Sequence, residues 1–61
     1  MTKSKQQLIN LENLARDNMN QQNERATAFY ELADYVESYK CILQADKYKK
    51  DMSYYQTLVN N

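Results

Sequence analysis

The sequence predicts an all-α fold, and three of its features carry that prediction. Glycine and proline are both absent from the 61 residues, although tight hairpin turns and many loops depend on them. Apolar residues recur at a seven-residue spacing, which is typical of packed helices. A capping-box pattern that begins at Ser4 stands directly before the first apolar stripe. Helices joined by polar connections can be built without glycine or proline, whereas a small β-protein hardly can.

The size of the chain predicts self-association. Cys41 is the single cysteine and histidine is absent. The fold can therefore be stabilised neither by an intramolecular disulfide nor by a standard structural zinc site. For so short a chain, the free energy gained by burying apolar surface is nearly cancelled by the conformational entropy lost when the residues become ordered. We therefore expect a single helical domain, residues 1–61, that assembles as a homodimeric helical bundle.

The first helix is predicted over about residues 4–17. Ser4 and Gln7 form the capping box, and Leu8, Leu11 and Ala15 then recur at helical spacing. Residues 17–23, DNMNQQN, are predicted to form the connection, because Asn and Asp side chains compete for the helix backbone. The seven-residue register nevertheless runs unbroken through this segment, so one long helix is the rival prediction to a helical hairpin.

The second helix is predicted over about residues 24–50, with Asn23 as its N-cap. Its strongest feature is a set of apolar residues at coiled-coil spacing, which we call the apolar seam and expect to form the core or the dimer contact. The apolar seam consists of Phe29, Leu32, Val36, Tyr39 and Leu43.

After Leu43 the apolar seam loses its phase, and a new stripe begins at Tyr48 and continues through Met52, Tyr55 and Val59. Two accounts fit this change. The second helix continues and turns another face inward, or it breaks near residues 46–53 and a short third helix occupies about residues 51–60.

The residue types indicate that the chain is not an enzyme. Acid–base and nucleophilic catalysis usually need a tuned group beside a base, and Cys41 has no histidine to activate it. A phosphate-binding glycine loop is equally impossible. We expect no catalytic residues, no cofactor and no metal site.

The tyrosines indicate a contact surface, because all six fall at or after residue 30 and tyrosine is enriched in interface hot spots. We predict a partner-binding face made of Tyr30, Tyr48, Tyr54, Tyr55, Lys47 and Lys49. The expected function is a small protein–protein interaction module that regulates, adapts or inhibits a partner protein.

The alternative function is a small helical nucleic-acid-binding regulator. Residues 47–50, KYKK, are followed by Tyr54 and Tyr55, which mixes cations with rings that can stack on bases. A net charge of zero weighs against this alternative.

The expected location is the cytoplasm. A free thiol and the absence of a signal-like apolar segment favour a reducing compartment, and no apolar run is long enough for a membrane role. The wealth of Asn, Lys and Tyr and the scarcity of Arg indicate an A/T-rich coding sequence. We therefore expect a bacterial, phage or plasmid origin.

Overall fold

The structure, a computed structural model that describes residues 4–60, is an antiparallel hairpin of two long helices. Helix α1 spans Lys5–Glu31 and helix α2 spans Tyr35–Asn60. The molecule measures 46 × 17 × 13 Å, so its length is close to the roughly 40 Å expected of one such helix at 1.5 Å per residue. The all-α class and the helical hairpin predicted from the sequence are confirmed.

Helix α1 begins where the capping box predicted it. The amide of Gln7 donates to the Ser4 hydroxyl at 3.2 Å, and the Ser4 amide donates to Oε1 of Gln7 at 2.9 Å. Two of the amides that a helix start leaves without an intrahelical partner are therefore satisfied locally.

The turn lies at residues 32–34, so the predicted connection at 17–23 is wrong. Residues 17–23 form the middle of α1, and the predicted N-cap Asn23 lies inside that helix. The low helix propensity of Asn and Asp amounts to only about 0.7 kcal/mol per residue, and Met19 and Gln22 pack, half-buried, toward α2. Tertiary contact outweighs local propensity here. The rival prediction of one long helix is also wrong.

The turn is a Schellman motif built without glycine. Ala33 takes the left-handed conformation at φ 59°. Its amide donates to the Tyr30 carbonyl at 2.9 Å, and the Asp34 amide donates to the Phe29 carbonyl at 2.8 Å. Asp34 also caps α2, because its Oδ1 accepts from the Glu37 amide at 3.3 Å. Three residues therefore end one helix and start the next.

Helix α2 continues without a break to Asn60. Of the two accounts left open by the sequence, the uninterrupted helix is correct, and within residues 4–60 there is neither a break near 46–53 nor a third helix. The stripe that starts at Tyr48 is the one that faces α1, since Tyr48, Met52, Tyr55 and Val59 are all half-buried.

The most deeply buried side chains between the helices are small. Ser38, Cys41 and Ala45 of α2 are 4–6% exposed, and Ala15 and Ala26 of α1 are equally buried. The Ser38 hydroxyl donates to the Ala26 carbonyl across the interface at 2.8 Å. Side chains of this size let the two backbones approach closely. Larger side chains close the ends of the interface, Phe29 beside the turn and Leu8 at the open end.

Candidate interaction surfaces

The apolar seam does not form the core of the single chain. Of its five residues only Phe29 is half-buried, while Leu32, Val36, Tyr39 and Leu43 are 76%, 68%, 61% and 51% exposed. The seven-residue register that points residues 8, 15, 22 and 29 inward is interrupted by the turn. Beyond the turn the same register therefore lies on the outer face of α2. The interpretation of the seam as a hairpin core is wrong, and its use as a dimer contact stays a prediction.

The exposed seam belongs to a continuous apolar area that we call the turn-end surface. It comprises Leu32, Tyr35, Val36, Tyr39, Ile42 and Leu43, all of them exposed. Their α2 members occupy an arc of about 120° on the helix at 100° per residue, the width of stripe that a helix usually buries. The ring of Tyr30 on α1 meets the ring of Tyr35 edge to face, with centroids 5.2 Å apart, and extends the surface across the groove between the helices.

Over residues 35–45, helix α2 reverses the usual arrangement in which large apolar side chains are buried and small side chains are exposed. The face toward α1 carries Ser38, Cys41 and Ala45, whereas the face toward solvent carries large apolar residues such as Val36 and Tyr39. A hairpin that acted alone would gain more by burying the larger side chains, because apolar stabilisation scales with the area removed from water. The inversion is the strongest structural sign that something else covers this face.

A second apolar area, the open-end surface, lies at the end of the hairpin opposite to the turn. Leu14, Tyr54 and Leu58 are exposed there, and Leu11, Tyr48 and Tyr55 are half-buried. Leu11, Leu14, Tyr48 and Tyr55 line a shallow groove between the helices, together with Asn18 and Asp51. The rings of Tyr54 and Tyr55 meet edge to face at 5.6 Å.

The structure divides the predicted partner-binding residues between several places. Tyr30 lies at the turn-end surface, and Tyr48, Tyr54 and Tyr55 lie together at the open-end surface. Lys47 is exposed, while Lys49 lines the groove on the other side of the hairpin with Met19 and Asp46. Leu14, Leu58, Tyr35 and Ile42 are further exposed residues of these surfaces that the sequence did not mark as contact residues. Their apolar type beside the seam and the tyrosines was the only available signal.

The lysines of residues 47–50 do not form one basic stripe. Lys47 and Lys49 point about 200° apart around α2 at 100° per residue, and the Lys50 ammonium pairs with the Asp46 carboxylate at 3.4 Å. A nucleic-acid backbone is normally tracked by cations that share a face. This arrangement does not favour the nucleic-acid alternative.

The part of the chain that the structure describes offers no cluster for a metal ion. Among residues 4–60 there is no group of three or more His, Cys, Asp or Glu residues in a suitable arrangement. Cys41 is a free thiol packed between the helices.

Within residues 4–60, neither α1 nor α2 has an apolar stretch of the length and hydropathy that a bilayer crossing requires.

Comparison with known proteins identifies no relative for this chain: no family model, no curated protein and no solved structure matches it. Over residues 4–60 the class of the protein is therefore defined by its fold and surfaces, as a two-helix hairpin with two exposed apolar areas.

Proposed function

We propose that this chain is a non-enzymatic protein–protein interaction module that regulates, adapts or inhibits a partner protein. The observation that carries the proposal is the open-end surface, where Leu14, Tyr54 and Leu58 are exposed beside a groove between the helices. Exposed apolar areas larger than a few hundred Å² usually mark interaction sites in soluble proteins. The expected origin in a bacterium, phage or plasmid is part of the same proposal.

The two apolar areas have different roles in this proposal. The turn-end surface is the larger and more aliphatic one, and it mediates self-association into a homodimer. The open-end surface binds the partner protein. It combines a groove with Tyr54 and Tyr55, the amphipathic side chains that dominate interface hot spots. Tyr48 and Tyr55 are anchored in the interhelical groove, which reduces the side-chain entropy lost when they contact a partner.

The partner-binding role is tested by affinity capture from nuclease-treated lysate of the source cell, followed by mass spectrometry. A double variant, Tyr54→Ala with Leu58→Ala, truncates two side chains that are 61% and 38% exposed, and circular dichroism checks that the hairpin still folds. We expect one protein to be retained by the wild type and lost from this variant, and to bind the purified wild type directly.

The matched control is Ser53→Ala with Thr57→Ala, two exposed residues on another side of the same helical segment. It is expected to retain the partner like the wild type. Equal retention by the Tyr54/Leu58 variant, or retention of nucleic acid that weakens steeply between low and moderate salt, would contradict the proposal, and the second result would favour the nucleic-acid alternative.

A further inference from the structure

The turn-end surface has the size expected of one half of a stable protein–protein contact. Its six residues are 50–76% exposed, so each exposes on the order of 100 Å², on the scale of the ~150–250 Å² that a whole aromatic side chain buries. With Tyr30 the total exposed area, polar atoms included, is on the order of 800 Å², which sets the upper limit of a contact here at about what one partner contributes to a standard interface. A patch left for solvent on a monomer is usually about 300–600 Å².

The surface is confined to one end of the molecule, and this determines how a second copy can cover it. Its members begin at Leu32 and end at Leu43, whereas α2 continues to Asn60. Further along the same side of α2 lie Asp46 and Lys50, which pair with each other at 3.4 Å. These two charged side chains interrupt the apolar area beyond Leu43.

The charges beside the surface distinguish an antiparallel from a parallel contact. Glu31 and Asp34 lie at the turn, whereas Glu37 already pairs with Lys40 at 3.1 Å and Lys50 with Asp46 at 3.4 Å. In an antiparallel contact between two α2 helices, the exposed Lys47 of each copy lies opposite the turn of the other and near its two carboxylates. A parallel contact places like charges together, which complementary interfaces avoid.

We infer that the occupant of the turn-end surface is a second copy of this chain, docked with α2 antiparallel to α2 about a two-fold axis near residues 39 and 40. Tyr39 then lies at the axis and packs on its own counterpart, and Val36 of each copy lies opposite Leu43 of the other. Such a contact is isologous: each copy uses the same surface. Assembly therefore stops at the dimer, and neither copy is left with a free turn-end surface to which a third could bind.

The consequence is a staggered, elongated dimer and not a compact four-helix bundle. The axis lies about 30 Å from the open end of each hairpin at 1.5 Å per residue. The two hairpins therefore overlap only around their turns and extend in opposite directions, over about 65 Å in total. One open-end surface is exposed at each extremity, so the dimer is bivalent. This inference rests on the proposed interaction function and specifies its assembly.

The antiparallel contact is tested by cross-linking two single-cysteine variants, Val36→Cys and Leu43→Cys, each in a Cys41→Ala background. Both added thiols are at exposed positions, so the hairpin should fold, which circular dichroism checks. We expect a disulfide-linked dimer to accumulate when the two variants are mixed under mild oxidation, and each variant alone to give at least about tenfold less. Cys41→Ala without an added thiol is the control.

Efficient cross-linking of each variant with itself, and none in the mixture, would show a parallel contact and overturn the inference. The shape is measured separately by small-angle X-ray scattering on the wild type. A maximum dimension near 65 Å supports the staggered dimer, while a dimer no longer than about 50 Å overturns it, since a single chain already extends 46 Å.

The failure of this inference can be distinguished from failure of the proposed function. A wild type that sediments as a monomer of 7.3 kDa at micromolar concentration overturns the dimer but leaves partner capture by the open-end surface unaffected. Loss of partner capture, conversely, changes neither the mass nor the cross-linking pattern.

Discussion

Ala33 is the residue on which the hairpin reversal depends. Its φ of 59° lies in the left-handed region, where an L-residue with a Cβ costs roughly 1–2 kcal/mol. The Schellman hydrogen bonds and the Asp34 cap fix this conformation. Glycine occupies this position in many helix ends because it has no Cβ to strain. The chain therefore retains a local conformational cost at its turn.

Ala33→Gly is expected to stabilise the protein. Relief of the left-handed strain outweighs the greater freedom of glycine in the unfolded chain, for a net gain of about 0.5–1 kcal/mol. The midpoint of thermal unfolding, followed by circular dichroism, should rise by about 4 °C.

The matched control for this substitution is Ala28→Gly, at an exposed position inside α1. There the same change costs about 1 kcal/mol, because glycine is a poor helix former. A fall in the unfolding midpoint for both variants would show that the left-handed Ala33 contributes no strain.

At the scale of the helices, the packing between α1 and α2 is set by small side chains. Ala26 meets Ser38 through a hydroxyl-to-carbonyl hydrogen bond of 2.8 Å, and Cys41 and Ala45 continue the same inner face. A direct side-chain bond to the backbone of the opposite helix requires the two helices to approach closely. The small residues on the inner face of α2 therefore form the contact with α1, and the larger residues lie on its solvent-facing side.

Ala45→Leu is expected to destabilise the hairpin, because the close approach of the helices leaves no room for three further carbon atoms. Overpacking of this kind typically costs about 1–3 kcal/mol. Urea unfolding should show a lower midpoint with an unchanged slope. Ala28→Leu makes the same chemical change at an exposed helical position and should alter the free energy of unfolding by less than about 0.5 kcal/mol. Equal effects at the two positions would argue against close packing.

The helical class and the start of α1 could be predicted from the sequence, whereas the position of the turn could not. Composition and the Ser4 capping box depend on local chemistry that the sequence displays directly. The sequence does not indicate the turn, because the seven-residue spacing of apolar residues continues across positions 32–34. The left-handed position is also held by Ala33, whereas a glycine there would have indicated a helix end. Asp34 followed by Glu37 was the available signal, since it resembles a second capping box.

The same hidden turn explains why the contact surface was only partly predicted. The periodicity that identified Val36, Tyr39 and Leu43 as apolar partners is genuine, but periodicity alone does not state which helix face meets the other helix of the same chain. That choice depends on the small residues Ser38, Cys41 and Ala45, which a search for large apolar side chains passes over. The predicted partner-binding role of Tyr54 and Tyr55 stays a prediction.

For the whole molecule, the balance of buried and exposed apolar area links folding to association. Among the described residues no side chain is less than 2% exposed, and the buried apolar positions are held by alanine and cysteine. Such side chains contribute little transfer free energy, on the order of 1 kcal/mol each. In the proposed dimer, the larger apolar residues of the turn-end surface would be buried against the second copy. We therefore expect the dimer, and not the isolated hairpin, to be the stable folded species.

This linkage predicts that the unfolding midpoint of the wild type rises with protein concentration. A tenfold increase is worth about 1.4 kcal/mol for a dimer, which corresponds to about 5 °C for two chains of this length. Val36→Glu places a carboxylate in the turn-end surface and should give a lower midpoint that no longer depends on concentration. Asn20→Glu adds the same charge at an exposed position of α1 outside both surfaces and should keep the dependence of the wild type. A wild-type midpoint that stays constant over a hundredfold range of concentration would show that the hairpin is stable alone.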